Sequence, residues 1–220
     1  MKPTKSRYFI ERFLQKALGD AAAASANKCI NIGCGPNGRY AAWLSPFDVD
    51  GVDVEAQQGP QPWRYHQADA AALPFPDSYF DLAVAVESFE HIENNTAAMA
   101  DAFRVLKPGA TFIATVPTHY TWPFEFGGHG PHYYTRQSIR ALFEGAGFRV
   151  RFVRPSGGLL YYLTNLGKNW VSPIGRRLFG TKTWWPLIDG ICWPFYAAAQ
   201  WLDIFLPILP SNWLILAEKP

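Results

Sequence analysis

The chain has 220 residues, enough for one domain with a substantial core. A formal net charge of +2 marks no global field for nucleic acid, and no RNA-binding module stands out that would favour a nucleic-acid substrate. The three cysteines, Cys29, Cys34 and Cys192, have neither metal-like spacing nor the even count of a disulfide framework, which suits a reducing, cytoplasmic setting; no secretory apolar run follows Lys2, Lys5 and Arg7.

In chain order, Ser6 to Leu18 reads as an amphipathic helix, with Ile10, Phe13, Leu14, Ala17 and Leu18 on one face. Lys28 to Ile32 is a buried strand. It stops at the turn Gly33-Cys34-Gly35-Pro36-Asn37-Gly38, and a helix over Arg39 to Leu44 follows, ended by Pro46. Glycines permit positive φ and close approach to the main chain, and a helix start offers unpaired N–H groups, so this turn can cradle a nucleotide-like ligand. The same turn also serves as a plain connection between strand and helix. Phe47 to Val54 is the second strand, closing on Asp53-Val54-Glu55. Gln57 to Pro62 is a connection, and Trp63 to His66 a short third strand.

Asp69 to Asp77 forms a loop with a small helical turn, and Phe80 to Val86 a fourth strand apolar enough for burial on both faces. Glu87 to Val105 reads as helix, broken by Lys107-Pro108-Gly109 before a fifth strand over Ala110 to Val116. A loop rich in Pro, Gly, His and aromatics runs from Pro117 to Tyr134. Thr135 to Ala146 is a helix with Thr135 as its N-cap and Gly147 past its end, and Phe148 to Val153 is a sixth strand. Alternating strands and helices predict an α/β fold with a doubly wound parallel sheet. Ligands bind such sheets outside the carboxyl ends of the strands. The glycine turn, Asp53, Asp69 and Glu87 all fall at predicted strand carboxyl ends.

With those residues placed, the chain resembles a class I S-adenosylmethionine-dependent methyltransferase from about Lys28 to Val153, resuming at Trp213 to Lys219. The ordered matches are Ile30-Asn31-Ile32-Gly33-Cys34-Gly35, Gly51-Val52-Asp53, Asp69-Ala70 with Leu73-Pro74-Phe75, Phe80-Asp81-Leu82, Leu106-Lys107-Pro108-Gly109-Ala110, and Glu144-Gly145-Ala146-Gly147-Phe148. The resemblance implies a Rossmann-like sheet of seven strands whose last strand, Asn212 to Lys219, is antiparallel. It implies S-adenosylmethionine as cofactor, held by Asn31, Gly33, Gly35, Asp53, Val54, Asp69, Ala70 and Glu87. Asp53 would accept both ribose hydroxyls, since a carboxylate is a bidentate acceptor. Asp69 would accept from the adenine amino group while the Ala70 N–H donates to a ring nitrogen. Gly33 and Gly35 let the methionine part pass. One departure is Asn31, where the family's first motif usually carries an acid; an amide still accepts a hydrogen bond but supplies no charge.

Methyl transfer to an oxygen asks for orientation and sometimes a base. His91, His129 and His132 are the candidates, each with a loop hydrogen bond as the alternative use. Glu87, Glu90 and His91 are spaced to share one helical face. With His129 or His132 they could form a mixed O/N site for a divalent cation, resembling the E-x-x-E-H element of some metal-dependent O-methyltransferases. The same residues resemble the strand-to-helix segment of metal-free relatives, and the metal-free reading is adopted.

Residues 157–211 fall outside the minimal fold and form an apolar helical insertion within the single domain. The stretch is rich in Trp, and from Gly145 to Ile188 there is no Asp or Glu, while seven Lys and Arg fall there. Leu187 to Leu209 is long enough to span a membrane, but Asp189, Pro194, Asp203 and Pro207 argue against a span. The insertion suits a peripheral contact at the inner face of a membrane, a cap over a greasy acceptor, a homodimer interface, or simple core. The expected activity is O-methylation, with carbon as the lesser option, of a hydrophobic or lipid-linked acceptor, without a nucleic-acid partner. The alternative is a non-catalytic, membrane-associated interaction protein on the same fold.

Overall fold

The computed structural model describes residues 8–36, 40–60, 62–120, 130–202 and 210–220. Strands β1 (Lys28–Ile32), β2 (Asp48–Asp53), β3 (Arg64–Gln67), β4 (Phe80–Val86), β5 (Leu106–Pro117), β6 (Arg149–Ser156) and β7 (Asn212–Glu218) form one sheet in the order β3-β2-β1-β4-β5-β7-β6. Neighbours pair in parallel from β3 across to β5. The last strand, β7, enters antiparallel between β5 and β6, as the resemblance implied.

The central strands are covered on both faces, which is why Leu82 to Val86 of β4 and Ala110 to Val116 of β5 read as near-continuous apolar runs. Ile30 and Ile32, Ala83 and Ala85, Phe112 and Ala114, and Trp213 and Ile215 face one core, together with Met99 of helix α3 (Asn95–Val105) and Phe143 of helix α4 (Arg136–Gly145). Cys29, Leu82, Val84 and Ile113 face the other, against Leu14 and Leu18 of helix α1 (Tyr8–Ala23) and Leu44 of helix α2 (Ala41–Leu44). Each fully buried large side chain of this kind contributes roughly 1.5–3 kcal/mol of transfer free energy.

Three expectations are corrected. Helix α3 starts at Asn95, not Glu87. Glu87 has φ of +52°, which an α-helix does not accommodate, and the Asn94 side chain caps the later start by accepting from the Ala97 N–H at 3.1 Å. Lys107-Pro108-Gly109 does not separate α3 from β5 but forms a bulge within the strand: Phe80 pairs with Leu106 and Leu82 with Thr111. Gly109, at φ +79°, donates there to Lys219 O at 2.8 Å, and Lys107 Nζ meets Asp81 Oδ1 at 2.7 Å. Helix α1 runs on to Ala23, because Ala21 continues its buried face.

Between β6 and β7 stand two helices, α5 (Leu159–Phe179) and α6 (Thr181–Leu202), packed on each other as a hairpin. Gly180, at φ +74°, makes the corner, and its N–H closes α5 on Arg176 O at 3.0 Å. Trp184, Ile188 and Cys192 form a small core separate from the two beside the sheet. Among the described residues no helix is long and apolar enough to cross a membrane.

Candidate functional site

Strand β1 ends in a turn fixed by its neighbours. Gly33 and Gly35 have φ of +68° and +67°. A Cβ on Gly33 would lie 2.3 Å from Ser88 Cβ, so glycine here admits the turn after β4, whose Ser88 Oγ donates to Ile32 O at 3.0 Å. A Cβ on Gly35 would meet nothing within 4 Å; its requirement is the left-handed backbone alone. The turn's amides are largely used locally. The Gly33 and Cys34 N–H groups donate to Val52 O at 2.8 and 3.2 Å, and the Gly35 N–H donates to Asp53 Oδ2 at 2.7 Å. The four-residue α2 has no side-chain cap and adds little of the dipole expected from a longer helix.

Asp53 closes β2. Its other oxygen, Oδ1, accepts from the Glu55 N–H at 3.0 Å. Beyond β3, Asp69 Oδ1 accepts from the Ala71 N–H at 2.9 Å, a turn that holds Ala70 buried beneath it. Glu87, just past β4, has its carboxylate gripped from two sides: Thr115 Oγ1 donates to Oε1 at 2.9 Å and Asn212 Nδ2 to Oε2 at 3.0 Å. Together the two bonds fix the orientation of the carboxylate.

These positions meet in a cleft of about 940 Å³ at the carboxyl ends of the strands. Its walls include Gly33 and Gly35, Asp53 and Val54, Asp69 and Ala70, and Glu87 with His91. Asn31 does not belong to the wall. It lies buried behind the turn, and its Nδ2 has no hydrogen-bond acceptor among the described residues. No described residue of α5 or α6 lines the cleft.

The three histidines separate. His91 is half-exposed on the cleft wall, with Nε2 3.8 Å from Glu90 Oε1. His132 is tied to the outside of the same turn: its Nε2 pairs with Glu93 O at 3.0 Å and its backbone N–H donates to Glu90 O at 3.3 Å. His129 lies outside the described residues. Glu87, Glu90 and His91 share no helical face, because the chain turns there instead of coiling; Glu87 is bound to Thr115 and Asn212, Glu90 is buried and His91 is exposed. Among the described residues no group of three His, Cys, Asp or Glu side chains is placed to hold a metal ion.

Burial, joined by the charge of Asp53, pushes the Cys34 thiol up to about 12. Burial and Asp50 raise Cys29 as well. Both thiols are therefore protonated at neutral pH and are poor nucleophiles. Tyr134 is also pushed up to about 12, first by burial; its hydroxyl donates to Phe89 O at 3.1 Å and accepts from Asn95 Nδ2 at 2.8 Å, fastening the segment after the β5 loop to the turn after β4.

Sequence reasoning missed Ser88, Thr115 and Asn212. Thr115 carried a signal: a polar residue near the carboxyl end of a strand buried on both faces needs a polar partner. Asn212 carried none, since its partner is set only when β7 inserts beside β5.

A family model described as a methyltransferase domain matches residues 4–152. A demethylmenaquinone methyltransferase of Streptomyces avermitilis is 30% identical over 130 residues, covering 58% of this chain and 51% of that protein. A probable chloroplastic tocopherol O-methyltransferase of Oryza sativa subsp. japonica is 30% identical over 117 residues, covering 47% of this chain and 32% of that protein. The match therefore spans about half or less of these relatives' length. Among solved structures, an S-adenosylmethionine-dependent methyltransferase from Archaeoglobus fulgidus superposes with a TM-score of 0.61 at 16% identity over 97% of both chains. That likeness is one of fold.

Proposed function

This chain belongs to the class I S-adenosylmethionine-dependent methyltransferases, and on that premise we propose that it transfers a methyl group to an oxygen of a hydrophobic or lipid-linked acceptor. The observation that carries the reading is the convergence of three carboxylates from three strand ends, Asp53, Asp69 and Glu87, on one cleft beside the Gly33–Gly35 turn. That donor set fits the cofactor. Each Asp53 oxygen accepts one backbone N–H and keeps lone-pair capacity for a ribose hydroxyl. Asp69 and Ala70 would hold the adenine edge. Asn31, buried behind the turn, stands outside that set. Bound there, the cofactor supplies an electrophilic methyl group carried on a sulfonium. Glu87, oriented by Thr115 and Asn212, lines the same cleft.

His91 on the cleft wall would take the acceptor hydroxyl's proton, at Nε2, as the new C–O bond forms and the methyl–sulfur bond breaks to leave a neutral thioether. Glu90 Oε1, 3.8 Å away, would stabilise the imidazolium that results. The apolar insertion between β6 and β7 supports a hydrophobic acceptor. So do the names of the relatives, which carry tocopherol and demethylmenaquinone.

The test is transfer of a labelled methyl group from S-adenosylmethionine into lipid extracts by the purified chain. Label in the organic phase is expected, falling about 100-fold in His91→Gln with cofactor affinity kept. Unchanged transfer by His91→Gln removes the base assignment. Cofactor binding without transfer to any lipid fraction removes the hydrophobic-acceptor assignment.

A further inference from the structure

We infer that the outward face of the α5–α6 hairpin docks on an anionic lipid bilayer. On α5, Leu163, Trp170, Ile174 and Leu178 recur at spacings of seven and four, one stripe of a helix. Trp170 is 70%, Ile174 65% and Leu178 69% exposed, which for such large apolar side chains is the opposite of core. The stripe points away from α6. The contact with α6 is made by Gly175, where a Cβ would meet the Trp184 ring at 2.3 Å, and by Ser172, whose Oγ accepts from Trp184 Nε1 at 3.2 Å. Ile174 lies two residues from Ser172, about 200° around the helix. On α6, Leu187, Ile191 and Phe195 form a second exposed stripe, beside the buried Trp184, Ile188 and Cys192.

Charge decides among occupants. Across α5 and α6 the sequence carries Lys168, Arg176, Arg177 and Lys182 against a single acid, Asp189. Arg176 and Arg177 are exposed, and Arg177 stands three residues beyond Ile174, on the apolar face itself. A two-fold dimer through this face would set Arg177 and its neighbours against the same cationic patch of a second copy. A bilayer with anionic headgroups meets both halves of the pattern: acyl chains take the stripe, headgroups attract the arginines, and Trp suits the boundary between them. Since among the described residues neither helix qualifies as a span, the hairpin would lie on the surface. The inference extends the hydrophobic-acceptor reading, but its test reads binding and not methyl transfer, so either can fail alone.

The experiment is co-sedimentation of the full chain with vesicles of phosphatidylcholine containing phosphatidylglycerol, against phosphatidylcholine alone. Binding to the anionic vesicles, weakened by salt, is expected. Ile174→Asp/Leu178→Asp should abolish it, and Arg176→Glu/Arg177→Glu should lower it roughly tenfold or more. All four positions are exposed, and circular dichroism together with S-adenosylhomocysteine affinity would confirm that the variants remain folded. Absence of binding by the folded parent chain overturns the inference. So does equal, salt-insensitive binding to both vesicle types, or a dimer in solution that Ile174→Asp/Leu178→Asp dissociates while vesicles capture nothing.

Discussion

Asp50 shows how one buried charge organises the edge of the sheet without joining the site. It sits on β2, nearly sealed from solvent, and Arg64 of β3 meets it with Nε and Nη2, both at 2.9 Å, while His66 Nε2 lies 2.7 Å from Oδ1. Burial alone would raise the Asp50 carboxyl; the Arg64 and His66 bonds more than reverse it and hold it below the usual carboxylate range. A group depressed in the fold adds stability above its unfolded pKa of about 4 and loses it as pH falls through the lower folded value. Arg64→Met should therefore cost about 1–3 kcal/mol at pH 7, tempered by the half-exposed guanidinium, and less at pH 3, where the Asp50 left without Arg64 takes up a proton more readily and no longer needs the partner. Urea melts at the two pH values check this; an equal loss at both would remove the carboxylate's charge from the account.

At the scale of elements, the turns after β1 and β4 are one unit. Gly33 and Ser88 interlock, so Gly33→Ala should cost more than about 2 kcal/mol, from an unfavourable φ and a clash together. In Gly33→Ala/Ser88→Gly the clash is gone, since the nearest remaining Ser88 atom, Cα, is 3.6 Å away, and about 1 kcal/mol of backbone cost should persist. Thermal melts of the single and double variants measure the rescue; none would mean that the two turns do not touch. The same pair marks the boundary of what a sequence discloses. Strand β4 is legible to its last residue because burial on both faces leaves an unbroken apolar run from Leu82 to Val86. The segment from Glu87 to Asn94 is composed of residues that a helix tolerates, and its non-helical path follows from Glu87. The partners that hold Glu87, Thr115 and Asn212, lie 28 and 125 residues away in the chain, beyond any local window. The bulge at Lys107-Pro108-Gly109 is similar: the residues announce a break, but whether the break ends a strand or bends it is decided by β4 and by Lys219.

For the whole molecule, the sheet order turns scattered motifs into a site. β1 lies between β2 and β4, so the residues that follow each of them share one rim, and the positions legible as Gly33, Gly35, Asp53, Asp69, Ala70 and Glu87 line one cleft. Asn31 was legible as part of the first motif but stands behind that rim, since alternation along β1 turns it to the opposite face from Ile30 and Ile32. The hairpin is an addition to this plan: it keeps its own small core, and none of its described residues lines the cleft. The most direct measurement of the central claim is titration calorimetry of the full chain with S-adenosylmethionine and S-adenosylhomocysteine, run beside Asp53→Ala. Saturable binding of both ligands is expected, lost in Asp53→Ala while its thermal melt stays that of a folded protein. Folded parent protein that binds neither ligand, or Asp53→Ala that binds as well as the parent, would contradict it.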